Sequence, residues 1–328
     1  MTLALPSSSG RARLTVRDLS HHYGPRAALV GLGFHVDAGE MVGLLGPNGS
    51  GKSTALALLA GLQPSPAGRV AWAEASGESH PGGSVGYRAR LGVVFQRPSL
   101  DRALTAEQNL QLAAQMQGIP RRLARSRARD LLAWAGLEDR ARDLVRTYSG
   151  GMQRRLEIAR ALVHEPSFML LDEPTSGLDA ASFERTWELL SRLRAEHGVA
   201  LVVATHRPEE GALCDRLVVL DEGRVVREAA PDDLIAELAD DVVTLVGTDP
   251  DGLAREVEAA FGLPTRVDRA TGAVHIECTR GHELVVRLVE RLPAGRLEAV
   301  SLRRPGLADA FLKLTGRALA ADPPKEAA

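Results

Sequence analysis

The nonapeptide Gly46-Pro47-Asn48-Gly49-Ser50-Gly51-Lys52-Ser53-Thr54 constrains this chain more than any other segment. It fits G-x-x-x-x-G-K-[ST], a loop that cradles phosphate groups. Its glycines let the backbone curl so that successive N–H groups point inward at anionic oxygens. Lys52 supplies a compact ammonium on a flexible stem, suited to β- and γ-phosphates as a point charge, where arginine's planar fork has the wrong shape. The chain holds three lysines, and Lys52 is the only one in its first three hundred residues; the remaining positive charge is arginine. Ser53 adds a hydroxyl for Mg²⁺. A glycine-rich turn ahead of a helix is the plain alternative. Context argues against it, because Glu40–Leu45 reads as a short buried strand and Thr54–Leu62 as an apolar helix. Strand, loop and helix in that order put the loop at a helix N-terminus, where a nucleotide's phosphates bind.

At 328 residues there is room for one large domain and a small one. A hydrophobic content of 45% with 25% charged residues is that of an ordinary globular chain. The net charge of −2 argues against nucleic acid held by the overall field. No apolar run reaches the length of a membrane span. The N-terminus lacks the basic-then-apolar pattern of a secretory signal, and residues 1–12 read as a disordered tail. Cys214 and Cys278 stand far apart and in no metal-ligand spacing, so both read as small buried or near-surface residues in a reducing cytosol.

Leu14–Leu19 and Leu32–Val36 alternate like strands and suggest a small antiparallel layer ahead of the core. Arg69–Trp72 and Leu91–Phe95 read as further strands, with Glu74–Gly86, rich in Gly, Ser and Pro, as an exposed hairpin loop. From Thr105 to about Tyr148 the pattern turns helical. Leu110, Ala113, Ala114 and Met116 share one helix face; Leu123, Ala128, Leu131 and Leu132 share another. This block interrupts a strand-rich region and reads as an inserted helical subdomain at about 99–150. Its basic run, Arg121 to Arg129, is a solvated helix face or a contact for partner loops or anionic lipid headgroups. Strand and helix then alternate: Met169–Leu171, Phe183–Arg194, Ala200–Ala204, and a hairpin of Asp215–Leu220 and Arg224–Arg227 about Asp221-Glu222-Gly223. The class is α/β with a largely parallel sheet, over 13–238. Beyond Asp240 the order changes to Val242–Val246, Pro250–Phe261, Arg266–Asp268, Val274–Cys278, His282–Arg291, Arg296–Leu302 and Leu307–Leu314, with a turn at Ala270-Thr271-Gly272. The succession β-α-β-β-α-β predicts a small ferredoxin-like α+β domain over 239–318. Residues 319–328, with Pro323-Pro324, read as a second disordered tail.

Two more constellations carry chemistry. Met169-Leu170-Leu171-Asp172-Glu173 is an apolar strand ending in two carboxylates. Beside a phosphate loop, Asp172 reaches the Mg²⁺ that bridges the phosphates. Glu173 then lies by the γ-phosphate, where it accepts a proton from attacking water. Tyr148-Ser149-Gly150-Gly151-Met152-Gln153-Arg154-Arg155 precedes an amphipathic helix, and Ser149 with the glycine amides makes a second anion-binding helix start. One ordinary nucleotide site does not need two such cradles.

At this point the sequence resembles the ATP-binding cassette (ABC) ATPases, from about Leu14 to Glu228. The resemblance implies their fold: a P-loop NTPase with a mixed, mainly parallel sheet, an antiparallel β subdomain and an inserted helical subdomain. It implies ATP and Mg²⁺ as ligands and a homodimer. In that family the segment matching Ser149, Gly150, Gly151 and Gln153 closes over the γ-phosphate held by the other subunit's loop, here Gly46–Thr54. Tyr23 matches the aromatic that stacks on adenine. Gln96, in Val93-Val94-Phe95-Gln96, matches the glutamine that senses Mg²⁺ and the attacking water. Asp179, in Ser176-Gly177-Leu178-Asp179, matches a loop crossing the dimer interface, and His206 the switch histidine on the γ-phosphate. Lys52, Gln96, Glu173 and His206 are the implied catalytic set, with Ser53, Gln96 and Asp172 on the metal.

Three readings of the work driven are open. One is the ATPase subunit of a transporter at the cytoplasmic membrane face, beneath a multi-spanning permease on a separate chain. Another is a soluble ATPase for cofactor or complex assembly. The weakest is a ribosome- or DNA-associated cassette protein, since those usually carry two cassettes or a long coiled coil. Phe95–Asp101, Leu104-Thr105, Glu107–Leu110, Tyr148–Leu162 and the closing Pro305–Leu312 are similar to the daunorubicin-resistance-like group of multidrug exporter ATPases. That implies export of drug-like or lipophilic compounds. Two features depart from the group's pattern: the glycine-rich Glu74–Gly86 loop, and Pro208 in Thr205-His206-Arg207-Pro208-Glu209-Glu210, which a helix tolerates in its first turn.

Overall fold

The structure, a computed structural model, describes residues 12–64, 67–97, 99–238, 240–269, 271–292, 295–317 and 319. The tails expected at 1–12 and 319–328 lie outside these residues apart from Ala12 and Leu319, as do Pro98 and Ala270.

The chain opens with β1 (Arg13–Tyr23) and β2 (Arg26–Asp37), paired antiparallel with Leu14 opposite Val36. β3 (Met41–Leu45), buried throughout, runs into the phosphate loop, and α1 (Lys52–Leu59) leaves it. β4 (Ala67–Ala73) and β5 (Ser79–Pro81) form a hairpin on the far side of β1, followed by the single turn α2 (Val85–Arg88) and by β6 (Leu91–Val94). The segment read as an exposed loop thus contains an edge strand, and His80 within it is buried.

α3 (Ala106–Met116) and α4 (Arg121–Trp134) make up most of the helical insertion, and α5 (Gly150–Ala161) follows it. Thr105 and Gln108 close a reciprocal capping box at the start of α3. Leu110, Ala114, Ala128, Leu131 and Leu132 are buried as their spacing predicts. Met116, 80% exposed, and Leu123, 43% exposed, are not. Met116 lies in the last turn of α3 and Leu123 in the first turn of α4, on either side of the connection at Gln117–Pro120, where helix phase no longer points at the core.

β7 (Phe168–Asp172), α6 (Ala180–His197), β8 (Ala200–Thr205), α7 (Pro208–Gly211), β9 (Arg216–Asp221) and β10 (Arg224–Ala229) complete the first unit. The two-residue turn Glu222-Gly223 has φ of 47° and 78°, the positive pair that a right-twisted hairpin requires. Six strands form one sheet in the order β10-β9-β3-β8-β7-β6, parallel except for the β9–β10 hairpin. β3, β7 and β8 are near-continuous apolar runs because a parallel sheet is covered on both faces. One apolar cluster joins the antiparallel sheet (Leu14, Val16, Trp72) through α1 (Ala55, Leu59) to this sheet (Leu44, Phe168, Val202). Trp72 stacks on Phe168 at 4.9 Å between centroids, and Tyr87 donates to the Leu59 carbonyl at 2.8 Å.

The second unit runs from Pro231 to Leu319. It holds α8 (Pro231–Leu238), β11 (Asp241–Val246), α9 (Pro250–Phe261), β12 (Thr265–Asp268), β13 (Ala273–Cys278), α10 (Gly281–Arg291), β14 (Ala299–Arg303) and α11 (Leu307–Thr315). Its antiparallel sheet has the order β12-β13-β11-β14 about a core of Val243, Leu245, Leu253, Val257, Ile276 and Leu288. The division falls at 230/231 rather than 238/239, because α8 packs against α11 of the second unit. β14 begins at Ala299, three residues later than the apolar pattern from Arg296 suggests.

Candidate functional site

Register across the parallel sheet assembles the site. Leu45 pairs with Thr205, Asp172 with Ala204, and Val94 with Leu171. The carboxyl ends of β3, β8, β7 and β6 are therefore level. One or two residues beyond them stand Gly46, His206, Glu173 and Gln96, drawn from four distant parts of the chain. This is the edge of an α/β sheet at which ligands bind.

The phosphate loop curls around its own lysine. Lys52 Nζ donates to the carbonyls of Gly46 (2.7 Å) and Pro47 (2.9 Å), and the side chain is buried. Burial pulls the ammonium pKa below its ordinary value, while Glu173 and Asp172 push it back up. Gly51, just before α1, has φ of 107°, and a Cβ there would lie 2.6 Å from the Ala28 carbonyl oxygen. Only glycine fits that position without strain. A cavity of about 460 Å³ adjoins the loop, lined by Tyr23, Asn48, Gly49, Lys52, Ser53, Thr54 and Glu173 among others.

Glu173 is the meeting point. Gln96 Nε2 donates to its Oε2 at 2.7 Å, and His206 Nδ1 pairs with its Oε1 at 2.7 Å. Its backbone N–H donates to Ala204 at 2.9 Å, and its φ of 46° turns the side chain out of the line of β7. His206 and Glu173 are both buried. Pro208 occupies the first turn of α7, so the proline starts that helix rather than breaking it. Arg207 lies over the Phe183 ring, 5.4 Å from its centroid, and donates to the Thr175 carbonyl at 3.3 Å.

Arg154, which carried no role in the sequence reading, ties these parts together. Its guanidinium donates to the carbonyls of Phe95 (2.8 Å), Gln96 (3.1 Å) and Glu173 (3.4 Å), and to Glu157 Oε2 (3.3 Å). Glu157 in turn accepts from the Ser99 N–H at 2.6 Å. Both side chains are buried. The signal was present: Arg154, Glu157, Ile158 and Ala161 follow i, i+3, i+4, i+7 on α5, so an ion pair occupies the helix's buried face.

The remaining expected residues lie elsewhere. Ser149 caps α5, accepting from the Met152 N–H at 3.3 Å, and is exposed. Gly151 is buried against α6, where a Cβ would lie 2.2 Å from Ser182 Oγ. Asp179 caps α6 through the Ser182 N–H at 2.8 Å. Gln153 donates to the Tyr148 carbonyl at 3.0 Å. None of Ser149, Gly150, Gly151, Gln153 or Asp179 lines the cavity at the phosphate loop. Tyr23 lines it, 48% exposed, with its hydroxyl on Gln63 at 3.0 Å.

The donor set fits a hard divalent cation. Asp172 accepts a hydrogen bond from Ser53, and burial together with the Glu173 charge raises its pKa, against the pull of Lys52 and Arg154. Two carboxylates on consecutive residues, a hydroxyl and an amide supply oxygens and no soft ligand, which suits Mg²⁺.

A phosphate loop with an acid-ended strand beside it, a glutamine and a histidine on one carboxylate, and a helical insertion followed by a helix that starts at Ser-Gly-Gly define a cassette-type P-loop ATPase. The family described as "ABC transporter" matches residues 29–176. The chain is 40% identical over 309 residues to the Nod factor export ATP-binding protein I of Burkholderia orbicola, covering 93% of this chain and 98% of that protein. It is 36% identical over 305 residues to a daunorubicin resistance ATP-binding protein of Streptomyces coeruleorubidus, covering 92% and 96%. The ATP-binding cassette MJ0796, a dimer bound to ADP and Pi in a post-hydrolysis state, superposes with a TM-score of 0.58 at 30% identity, over 66% of this chain and 98% of that one. The cassette cbiO1 from Clostridium perfringens gives 0.62 at 28% identity, over 76% and 95%. The chain belongs to the ATP-binding subunits of ABC transporters, and it is an ATPase. Assembly of a cofactor or complex is not favoured beside relatives named for export and resistance.

Proposed function

We propose that this chain is the ATP-hydrolysing subunit of an exporter, working as a head-to-tail pair on the cytoplasmic membrane face beneath a separate multi-spanning permease. The names of the relatives support export, and the one from Streptomyces supports drug-like or lipophilic cargo. The observation that carries the chemistry is the Glu173 carboxylate, engaged on both oxygens beside the phosphate loop.

Tyr23 stacks on adenine. The loop N–H groups of Gly46–Gly51 take the phosphates, and Lys52 exchanges its two carbonyl partners for β- and γ-phosphate oxygens. Ser53, Asp172 and Gln96 would hold Mg²⁺, which would neutralise phosphate charge when bound. Glu173 accepts the proton of the attacking water, and His206 keeps that carboxylate aimed while contacting the γ-phosphate. Ser149, Gly150, Gly151 and Gln153 of a second copy complete the shell, and Asp179 lies at the junction. Hydrolysis cuts the γ-phosphate from ADP, and its release removes the charge that holds the copies together, so the pair opens and drives the permease. Phosphate release measured against protein concentration tests this. Turnover per chain should rise as copies pair, and full turnover by a strictly monomeric sample would overturn the reading.

The second unit is proposed as a ferredoxin-like accessory domain; its βαββαβ succession and strand order support that reading.

A further inference from the structure

The β4–β5 hairpin carries a cluster outside the nucleotide site. Glu74, Glu78 and His80 each offer one donor atom, and the three atoms lie within 4.8 Å of one another. Local structure accounts for the convergence. Glu78, just before β5, and His80 within it are two apart in extended chain, so they share a face, and the turn before them is closed by the Glu74 N–H on the Glu78 carbonyl at 2.8 Å. That bond returns Glu74 to the same end of the hairpin.

His80 supplies the second observation. It is only 8% exposed, yet its Nε2 has no hydrogen-bond partner among the described residues. A buried ring nitrogen without a partner carries a desolvation cost that a ligand would relieve. This nitrogen faces Glu74 Oε1 at 3.4 Å and Glu78 Oε1 at 3.6 Å. Those separations are long for hydrogen bonds. Against a tetrahedral edge of about 3.3–3.5 Å for donors bonded to Zn²⁺ at ordinary lengths, the first fits and the second is slightly long. The ring is aimed from behind, since a Cβ on Gly86 would lie 2.6 Å from His80 Nδ1 and only glycine leaves that room. Arg90 adds an outer layer: it pairs with Glu74 through Nε and donates to the Gly86 carbonyl at 3.0 Å. Outer-layer contacts of this kind orient metal ligands.

We propose that Glu74, Glu78 and His80 bind a divalent transition cation, Zn²⁺ by its mixed imidazole and carboxylate preference, with one coordination position left open. The site is separate from the Mg²⁺–nucleotide centre and clips the outer hairpin of the antiparallel sheet. The plain alternative is a His80 ring that only pairs with the two carboxylates.

The test uses the full chain, with excess Mg²⁺ and no nucleotide. Zn²⁺ is titrated in competition with a chromophoric chelator, and Co²⁺ is added separately to read its visible spectrum. The expected result is one tight Zn²⁺ per chain, a raised melting temperature, and an intense tetrahedral Co²⁺ band. His80→Gln and Glu78→Gln should weaken binding by about 100-fold or more, and Arg90→Ala by about 10–100-fold. Glu78 is well exposed, so its variant folds and remains informative should His80→Gln not. Lys52→Ala should bind Zn²⁺ as the parent does. No Zn²⁺ binding by the parent, or equal binding by Glu78→Gln, overturns the proposal.

Discussion

His206 Nδ1 lies 2.7 Å from Glu173 Oε1, joining residues at the ends of two neighbouring parallel strands. The pairing occupies one oxygen of the carboxylate while Gln96 occupies the other. A carboxylate held on both sides has little freedom left to lose when water arrives. Glu173→Gln keeps the shape and removes the base. Its turnover should fall by about 10²–10⁴-fold. An ATP-bound dimer should then accumulate, visible by size-exclusion chromatography. Rapid phosphate release by the variant would remove Glu173 from its role.

Lys52 is the loop's internal strut before it meets a phosphate, through Gly46 and Pro47. Lys52→Ala leaves those carbonyls without the ammonium and deletes the charge. Binding of a fluorescent ATP analogue should be lost. Unchanged affinity would mean that the backbone amides alone carry the phosphates.

Arg154 acts through others, since its guanidinium touches the backbone of Phe95, Gln96 and Glu173. Arg154→Ala strips buried Glu157 of its nearer cation, leaving Arg160 at 3.9 Å, and should destabilise the first unit by about 3 kcal/mol. Arg154→Lys keeps the charge but not the fork. It should lower kcat while leaving equilibrium ATP binding intact. A loss of ATP affinity in parallel with kcat would indicate general unfolding instead of misplacement of Gln96 and Glu173.

Gly151 separates packing from ligand binding. A Cβ would sit 2.2 Å from Ser182 Oγ. Gly151→Ala should therefore cost about 1–3 kcal/mol in thermal or urea unfolding. Adding Ser182→Gly should restore stability. Turnover that stays low in the stable double variant would assign Gly151 a direct part in closing on nucleotide.

The Pro305–Leu312 motif has a local physical reason. Asp309 accepts from the Gly306 N–H at 2.8 Å and from both terminal nitrogens of Arg303, at 2.7 and 3.0 Å, fixing the start of α11. The Arg303 hydrogen bonds hold the Asp309 pKa below its ordinary value. A depressed folded pKa contributes stability that is full above the ordinary carboxylate pKa and is lost as pH falls through the folded value. Asp309→Asn should cost about 1 kcal/mol at pH 7, the partial exposure limiting it. The gap should close as pH drops below about 4. Exchange protection of α11 amides, corrected for intrinsic rates, reads this; a gap independent of pH would refute the assignment.

Residue order alone carried the phosphate loop, the acid-ended strand, the Ser-Gly-Gly helix start and nearly every strand, because each is a local pattern. A glycine-lysine loop between an apolar run and a helix pattern is visible without neighbours. Contacts between distant segments were not legible. That Gln96 and His206 meet on one carboxylate depends on the level ends of β6, β7 and β8, which is a matter of register. That α8 joins the second unit follows from its packing on α11. The spacing of Arg154 places it on the apolar face of α5 but does not say what it touches, and that of His80 resembles any loop residue. Only burial, which the whole fold imposes, turned one into a tie between two backbone segments and left the other's ring nitrogen without a hydrogen bond among the described residues.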